Sequence, residues 1–247
     1  MEQIKKKFER IKNSNNVQRI NEFLIELSRN PKSEYLEILD HFMKNRDPNI
    51  LDNIKLNLIF ILGEIGKIHA IDTDYINYLI DQYQKSDRWV RNEIMTALQK
   101  IMHNSKLPDS VFDILKYSMV DDYYPIQKNS LIIMKNLGKI PEFLYKNLLR
   151  VLNSTESEIF ELMTGILKKF IKNEDELFEI LNIFENYKVL NKTIMRTLLI
   201  IFFSAAINLR DLDNFRSLIS NSDWEEDYKK DYLQEIDTFQ KILIKNL

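Results

Sequence analysis

Asp87-Arg88-Trp89-Val90-Arg91-Asn92-Glu93-Ile94-Met95-Thr96-Ala97-Leu98-Gln99-Lys100-Ile101 is the stretch from which the fold of this chain can be read. A turn residue, Asp87, leads into a segment whose apolar residues Val90, Ile94, Ala97, Leu98 and Ile101 fall at offsets 0, 4, 7, 8 and 11. At about 100° per residue those offsets share one face, so the segment predicts a helix with one buried stripe. Outward from it, the same spacing returns at anchors Val17, Ile54, Ile126, Ile159, Ile194 and, more weakly, Tyr228, with anchors 33 to 37 residues apart. Self-similarity on this period signals stacked helical units.

The inner positions repeat as Leu24 and Ile25, Ile61 and Leu62, Ala97 and Leu98, Ile133 and Met134, Ile166 and Leu167, and Ile201 and Phe202. Another amphipathic stretch precedes each of these helices: Tyr35 to Lys44, Tyr75 to Lys85, Val111 to Met119, Phe143 to Leu152, Leu177 to Phe184 and Leu212 to Ile219. Each unit therefore reads as a helical hairpin. Asp47-Pro48, Ser86-Asp87, Asp121-Asp122, Ser154 and Asp223 punctuate the hairpins, and Gly66 and Gly138 fall at helix ends, where a left-handed cap suits glycine. No hairpin can bury its apolar face alone, so residues 1–247 are expected to form a single domain. The Lys-rich first helix and the Asp237 to Leu247 stretch are its expected caps, and Phe239, Ile242 and Leu243 in the latter still need cover.

The sequence resembles the HEAT-repeat family, most clearly through Leu62-Gly63-Glu64-Ile65-Gly66 and through Asp87, Val90 and Arg91. The resemblance spans essentially the whole chain and implies an all-α fold, a right-handed α-solenoid of about six to seven HEAT-like hairpins. In that family the Asp and Arg help to tie neighbouring units together. Here the Arg position matches only at Arg91, with Lys55 in its place once and Gln18, Gln127, Phe160 and Met195 elsewhere. These motifs specify a fold and no reaction.

Composition narrows the function classes. Of 247 residues 45% are hydrophobic, enough for a sizeable core, while four Gly and five Pro are few for a chain rich in tight turns. The absence of Cys excludes disulfides, thiolate metal sites and a cysteine nucleophile, and fits a reducing, cytoplasmic location. Met1 to Lys12 has no continuous apolar core of the kind a secretory leader carries, which argues against export. The most apolar run, Leu198 to Ile207, is too short to span a bilayer, where ~20 residues are required. A net charge of −2 gives no global attraction for nucleic acid.

Candidate chemistry is sparse. His69 and His103 fall at equivalent places in successive repeats, about 8–10 Å apart by ordinary helix packing, too far to share a metal. Glu174-Asp175-Glu176 and Glu225-Glu226-Asp227 are helix-start runs favoured by the dipole. No nucleophile elbow, phosphate loop or zinc-binding His pair occurs, so no cofactor, metal or catalytic residue is assigned and a non-enzymatic role is expected. Trp89, Tyr123, Tyr124 and Trp224 lie in or near inter-helix turns on one edge, either as a recognition edge or as covers for their own hairpins.

The second helices of such a stack line its inner face, where offsets 2, 9 and 13 point away from the buried stripe. Those offsets give a basic inner face with Lys128, Lys135, Lys139 and Lys168, opposite an acidic outer one. Around Leu198 to Ile207 even outward positions are apolar, and a helix apolar all round is buried all round, by the stack's own C-terminal end or by a partner. The expected partner site is Leu199, Ile200, Phe203 and Ile207, rimmed by Lys128, Lys135, Lys139, Lys168 and Arg196. It suits a partner protein or peptide, acidic or amphipathic, so the chain reads as a scaffold or adaptor. On that reading Phe203→Asp abolishes capture and leaves the helical signal intact. The alternatives are nucleic-acid binding through the lysines, as in DNA-glycosylase members of the HEAT-like group, a lyase like the phycobilin lyases that share the repeat, and self-association through the apolar helix.

Overall fold

The computed structural model describes residues 2–44, 46–204 and 209–245, which form fourteen α-helices and no strand. The chain divides into two compact units, residues 1–115 with 123–133 and residues 116–122 with 134–247. Both units are built from helical hairpins packed in file.

The first unit holds α1 (Glu2–Ile11), α2 (Val17–Ser28), α3 (Leu36–Lys44), α4 (Pro48–Gly66), α5 (Thr73–Tyr83) and α6 (Arg88–Ile101). The division runs through α7 (Val111–Ser118) and α8 (Tyr124–Asn136). The second unit continues with α9 (Tyr145–Val151), α10 (Ser157–Phe170), α11 (Glu174–Asn182), α12 (Lys192–Phe203), α13 (Leu209–Ser220) and α14 (Glu226–Lys245).

Local chemistry sets where the helices begin. Side chains of Asn16, Asp47, Asp87 and Asn191 accept from backbone N–H groups in the first turns of α2, α4, α6 and α12, and Pro48 opens α4 where its missing N–H costs nothing. Helix α11 begins with a capping box: Asn173 accepts from the Glu176 N–H and Glu176 accepts from the Lys172 N–H. It ends sooner than its apolar pattern predicts, at Asn182, because Phe184 (φ 51°) and Glu185 (φ 52°) both turn left-handed. Two non-glycine residues in that region cost about 1–2 kcal/mol each.

The repeating stripe is the core. In α4, Ile54, Leu58, Ile61 and Leu62 are buried, and so are Ile94, Ala97, Leu98 and Ile101 in α6 and Ile159, Met163, Ile166 and Leu167 in α10. In α2 the buried set is Ile20, Phe23, Leu24 and Leu27, so the predicted inner residue Ile25 faces solvent instead. The reason is that the first repeat carries the capping Asn16 at the anchor position, and a template anchored on an apolar residue slides one residue late.

Among the described residues, amides and lysines tie neighbouring repeats. In the first unit the Asn57 amide donates to Asn21 Oδ1 at 2.7 Å, Asn21 donates to the Asn53 carbonyl, and Asn104 donates to the carbonyls of Gly66 and Lys67. In the second, Lys169 Nζ donates to the carbonyls of Lys135 and Leu137, and Asn191 to Asn153 Oδ1. Asp87 accepts from the Val90 N–H and so caps its own helix, and the Arg91 guanidinium lies over the Tyr83 ring. Gly66 differs from expectation too, since no glycine of the chain has positive φ. It permits close packing: a Cβ there would strike the Ile101 side chain.

Candidate functional site

The residues expected to form a binding patch take several different places. Lys128 belongs to the first unit, half-buried on α8, and the described others belong to the second. Lys135, Lys139 and Lys168 are exposed. The Lys135 side chain crosses Gly165, where a Cβ would lie 3.2 Å from its Cε, and Lys168 sits one turn further along α10, so these two cations share a face.

Leu199 and Phe203 are not surface residues. Both are buried, Leu199 completely, and the Phe203 ring packs on Phe215 of α13 at 5.4 Å. Helix α12 packs against α13 and α14, and its residues Leu198, Leu199, Ile201 and Phe203 are buried inside the unit. An aspartate at 203 would thus disrupt the core, and the expected retention of helix does not follow. Ile200 is exposed, and Ile207 lies outside the described residues. Arg196 is half of a two-pronged pair, with Nε 2.6 Å from Glu235 Oε2 and Nη2 3.2 Å from Oε1. Glu235 itself is buried, so the guanidinium is committed to keeping that carboxylate partnered.

A different apolar surface emerges on the second helices of the first unit. Ile25 on α2 is 46% exposed, and Leu56 and Phe60 on α4 are 44% and 37% exposed. Leu56 and Phe60 stand one turn apart on one face, while Ile25 and Phe60 both lie about one turn beyond the Asn21 to Asn57 hydrogen bond. Their charged frame comes from α4 and α6: Lys100 Nζ lies 4.9 Å from the Phe60 ring centroid and 2.7 Å from Glu64 Oε1. Sequence reasoning passed over these residues, although Ile54 to Leu62 is nearly as apolar all round as α12, and the same test applied to it would have found them.

Glu93 closes this frame. Its carboxyl is held above the ordinary range, first by burial, which Lys100 opposes and Glu64 reinforces, and its Oε1 has no hydrogen-bond partner. Because the folded pKa lies above the unfolded one, the fold favours the protonated acid. Its stabilising contribution is complete below the unfolded pKa and disappears as pH rises through the folded one. Glu93→Gln is therefore expected to raise the Tm slightly at pH 7, by roughly 1–2 °C, with the gain vanishing near pH 4. Thermal melts across that pH range measure the difference; a gain independent of pH defeats the account.

The aromatic residues predicted to lie on one edge differ in burial. Trp89 is exposed, edge-on to Tyr123 with the Arg88 guanidinium over both rings, whereas Trp224 is buried between Phe178 and Tyr187. Among the described residues no group of three His, Asp or Glu is placed to hold a metal ion, and no helix is long and apolar enough to cross a membrane.

No family model and no curated protein matches this sequence. Among solved structures, an engineered protein aligns over 97% of this chain and 98% of its own, at 15% identity and a TM-score of 0.52. A designed armadillo repeat protein, determined in complex with the peptide (KR)4, aligns over 96% and 98%, at 11% identity and a TM-score of 0.45. At such identities a likeness speaks to fold alone. Taken with the helices above, the chain is all-α and built from stacked helical repeats.

Proposed function

We propose that residues 1–247 act as a single-domain, non-enzymatic scaffold that binds a peptide or an amphipathic helix of another protein on the second-helix face. The observation that carries this reading is the exposure of Ile25, Leu56 and Phe60 where a merely solvated face would be polar. Apolar anchors framed by Glu64 and Lys100 have the make-up of a recognition patch, with an oily centre and a charged rim. In the second unit, Lys135 and Lys168 share an exposed face suited to an acidic segment, and Ile200 is exposed as well. Lys128 and Lys139 extend the basic character of these helices, and a chain without cysteine suits work in the cytoplasm.

The test is to select peptides from a random displayed library against the wild-type protein, then titrate a labelled winner by fluorescence anisotropy. Leu56→Asp with Phe60→Asp is expected to weaken binding about tenfold or more, with the far-UV CD spectrum unchanged because both side chains already face solvent. Unaltered affinity in that variant rejects the patch. The exposed lysines also support a nucleic-acid reading, which the same assay decides with labelled duplex and single-stranded DNA at low salt. Binding that falls steeply with salt and is lost in Lys135→Glu with Lys168→Glu would replace the peptide reading.

A further inference from the structure

The last turns of α14 leave two large apolar side chains in solvent, Ile242 at 54% and Ile244 at 55% exposure, flanked by exposed Lys241 and Lys245. Residues 238–245 carry two lysines and no acidic side chain, so this part of α14 is both apolar and cationic.

Another surface of the same unit has the opposite character. A groove of about 310 Å³ is lined by Ile140, Phe170, Ile180 and Ile183, and its charged lining groups are Glu142, Glu176 and Glu179; Lys169 Nζ, 4.9 Å from the Phe170 ring centroid, is occupied in donating to the Lys135 and Leu137 carbonyls. Glu176 is occupied in capping α11, which leaves Glu142 and Glu179, both exposed, as the carboxylates at the rim. Tyr145 in the lining is raised above the usual phenol range, first by burial and then by Glu176 and Glu142. The chain strains directly after Ile183: Phe184 and Glu185 are left-handed, and the Phe184 ring is exposed just beyond the groove. Strain of this kind persists where the surroundings or a function require it.

We propose that this groove receives the Lys241–Lys245 tip of α14 from a second copy of the chain. Isoleucine 242 or 244 fills the apolar floor, while Lys241 and Lys245 meet Glu142 and Glu179. The two surfaces match in sign as well as in polarity, and each exposes isoleucines or phenylalanine that water solvates poorly. Because donor and acceptor surfaces differ, the contact is heterologous and successive copies add head to tail. The inference does not depend on the second-helix-face reading.

Light scattering coupled to size exclusion, over a concentration series from roughly 1 to 100 μM, tests it. The wild-type weight-average mass is expected to rise about twofold or more across the series, and to return to the monomer value at high salt. Ile242→Asp with Ile244→Asp, and separately Glu142→Lys with Glu179→Lys, stay monomeric with unchanged CD and melting temperature, since all four positions are exposed. Adding Lys241→Glu and Lys245→Glu to the groove variant restores association. The proposal is overturned by a wild type that remains monomeric throughout, by association that survives in either surface variant, or by a charge swap that restores nothing. Leu56→Asp with Phe60→Asp associates like the wild type, so failure of this contact and failure of the peptide patch are separable.

Discussion

Trp224→Ala lowers the melting temperature by about 6–20 °C, the equivalent of roughly 3–5 kcal/mol for truncating a buried tryptophan in a protein of this size. Trp224 comes from the turn between α13 and α14, yet it is almost fully buried. Its indole lies between the rings of Phe178 at 5.4 Å and Tyr187 at 4.6 Å, nearly parallel to both, and meets Tyr232 edge-on at 6.1 Å. Its Nε1 donates to Asn182 Oδ1 at 2.8 Å. One side chain thus joins α11, the irregular segment after it and α14, and alanine would leave a cavity and break the bond to Asn182 at their junction. Trp224→Phe keeps most of the stacking and loses the N–H, so it should cost only about 1–2 kcal/mol. Thermal denaturation followed by far-UV CD gives both values, and indole emission reports the site, because the other tryptophan, Trp89, is exposed. A loss under 1 kcal/mol for the alanine variant would mean that the stack is not a keystone of its unit.

Gly63→Leu is expected to cost about 3 kcal/mol and to lower the Tm by about 6–12 °C. A Cβ at Gly63 would stand 2.9 Å from the Cα of Ala97 and 3.0 Å from its Cβ, so α4 and α6 approach to a distance that only a bare backbone allows. The obstacle is main chain, which cannot rotate aside as a side-chain end can. Gly63→Ala sets two effects against each other: alanine gains up to about 1 kcal/mol of helix propensity, while the helices must separate along their shared face. Separation disturbs buried Ile61, Leu62, Ala97 and Leu98 together, so a net loss is expected, smaller than for leucine. An alanine variant more stable than wild type in urea titration would show that α4 and α6 can shift without penalty.

Much of this architecture was legible because the features that specify it are local. A stripe at offsets 4, 7, 8 and 11 lies within one helix, so α4, α6, α10 and α12 appear in the sequence close to where they occur. What failed to show depends on neighbours. Ile25 and Phe23 exchange roles through a single residue of register, because Asn16 stands at an anchor that the template expected to be apolar. Leu199 and Phe203 looked like a docking surface because the sequence of α12 does not reveal that α13 and α14 pack against it. Their burial moved the candidate patch to Leu56 and Phe60, on a helix whose own apolar excess gave the same warning. The left-handed pair at Phe184 and Glu185 has no sequence signal, since neither residue favours that conformation.

The bonds between successive repeats bear on how the protein is made. Asn21 reaches Asn53 across 32 residues, Asn57 reaches Asn21 across 36, and the Tyr232 hydroxyl reaches the Tyr187 carbonyl across 45. None of these partners requires a distant part of the chain to be synthesised first. Within each unit a nascent hairpin can therefore consolidate against its predecessor as soon as it clears the ribosome, with only short loops to close at every step.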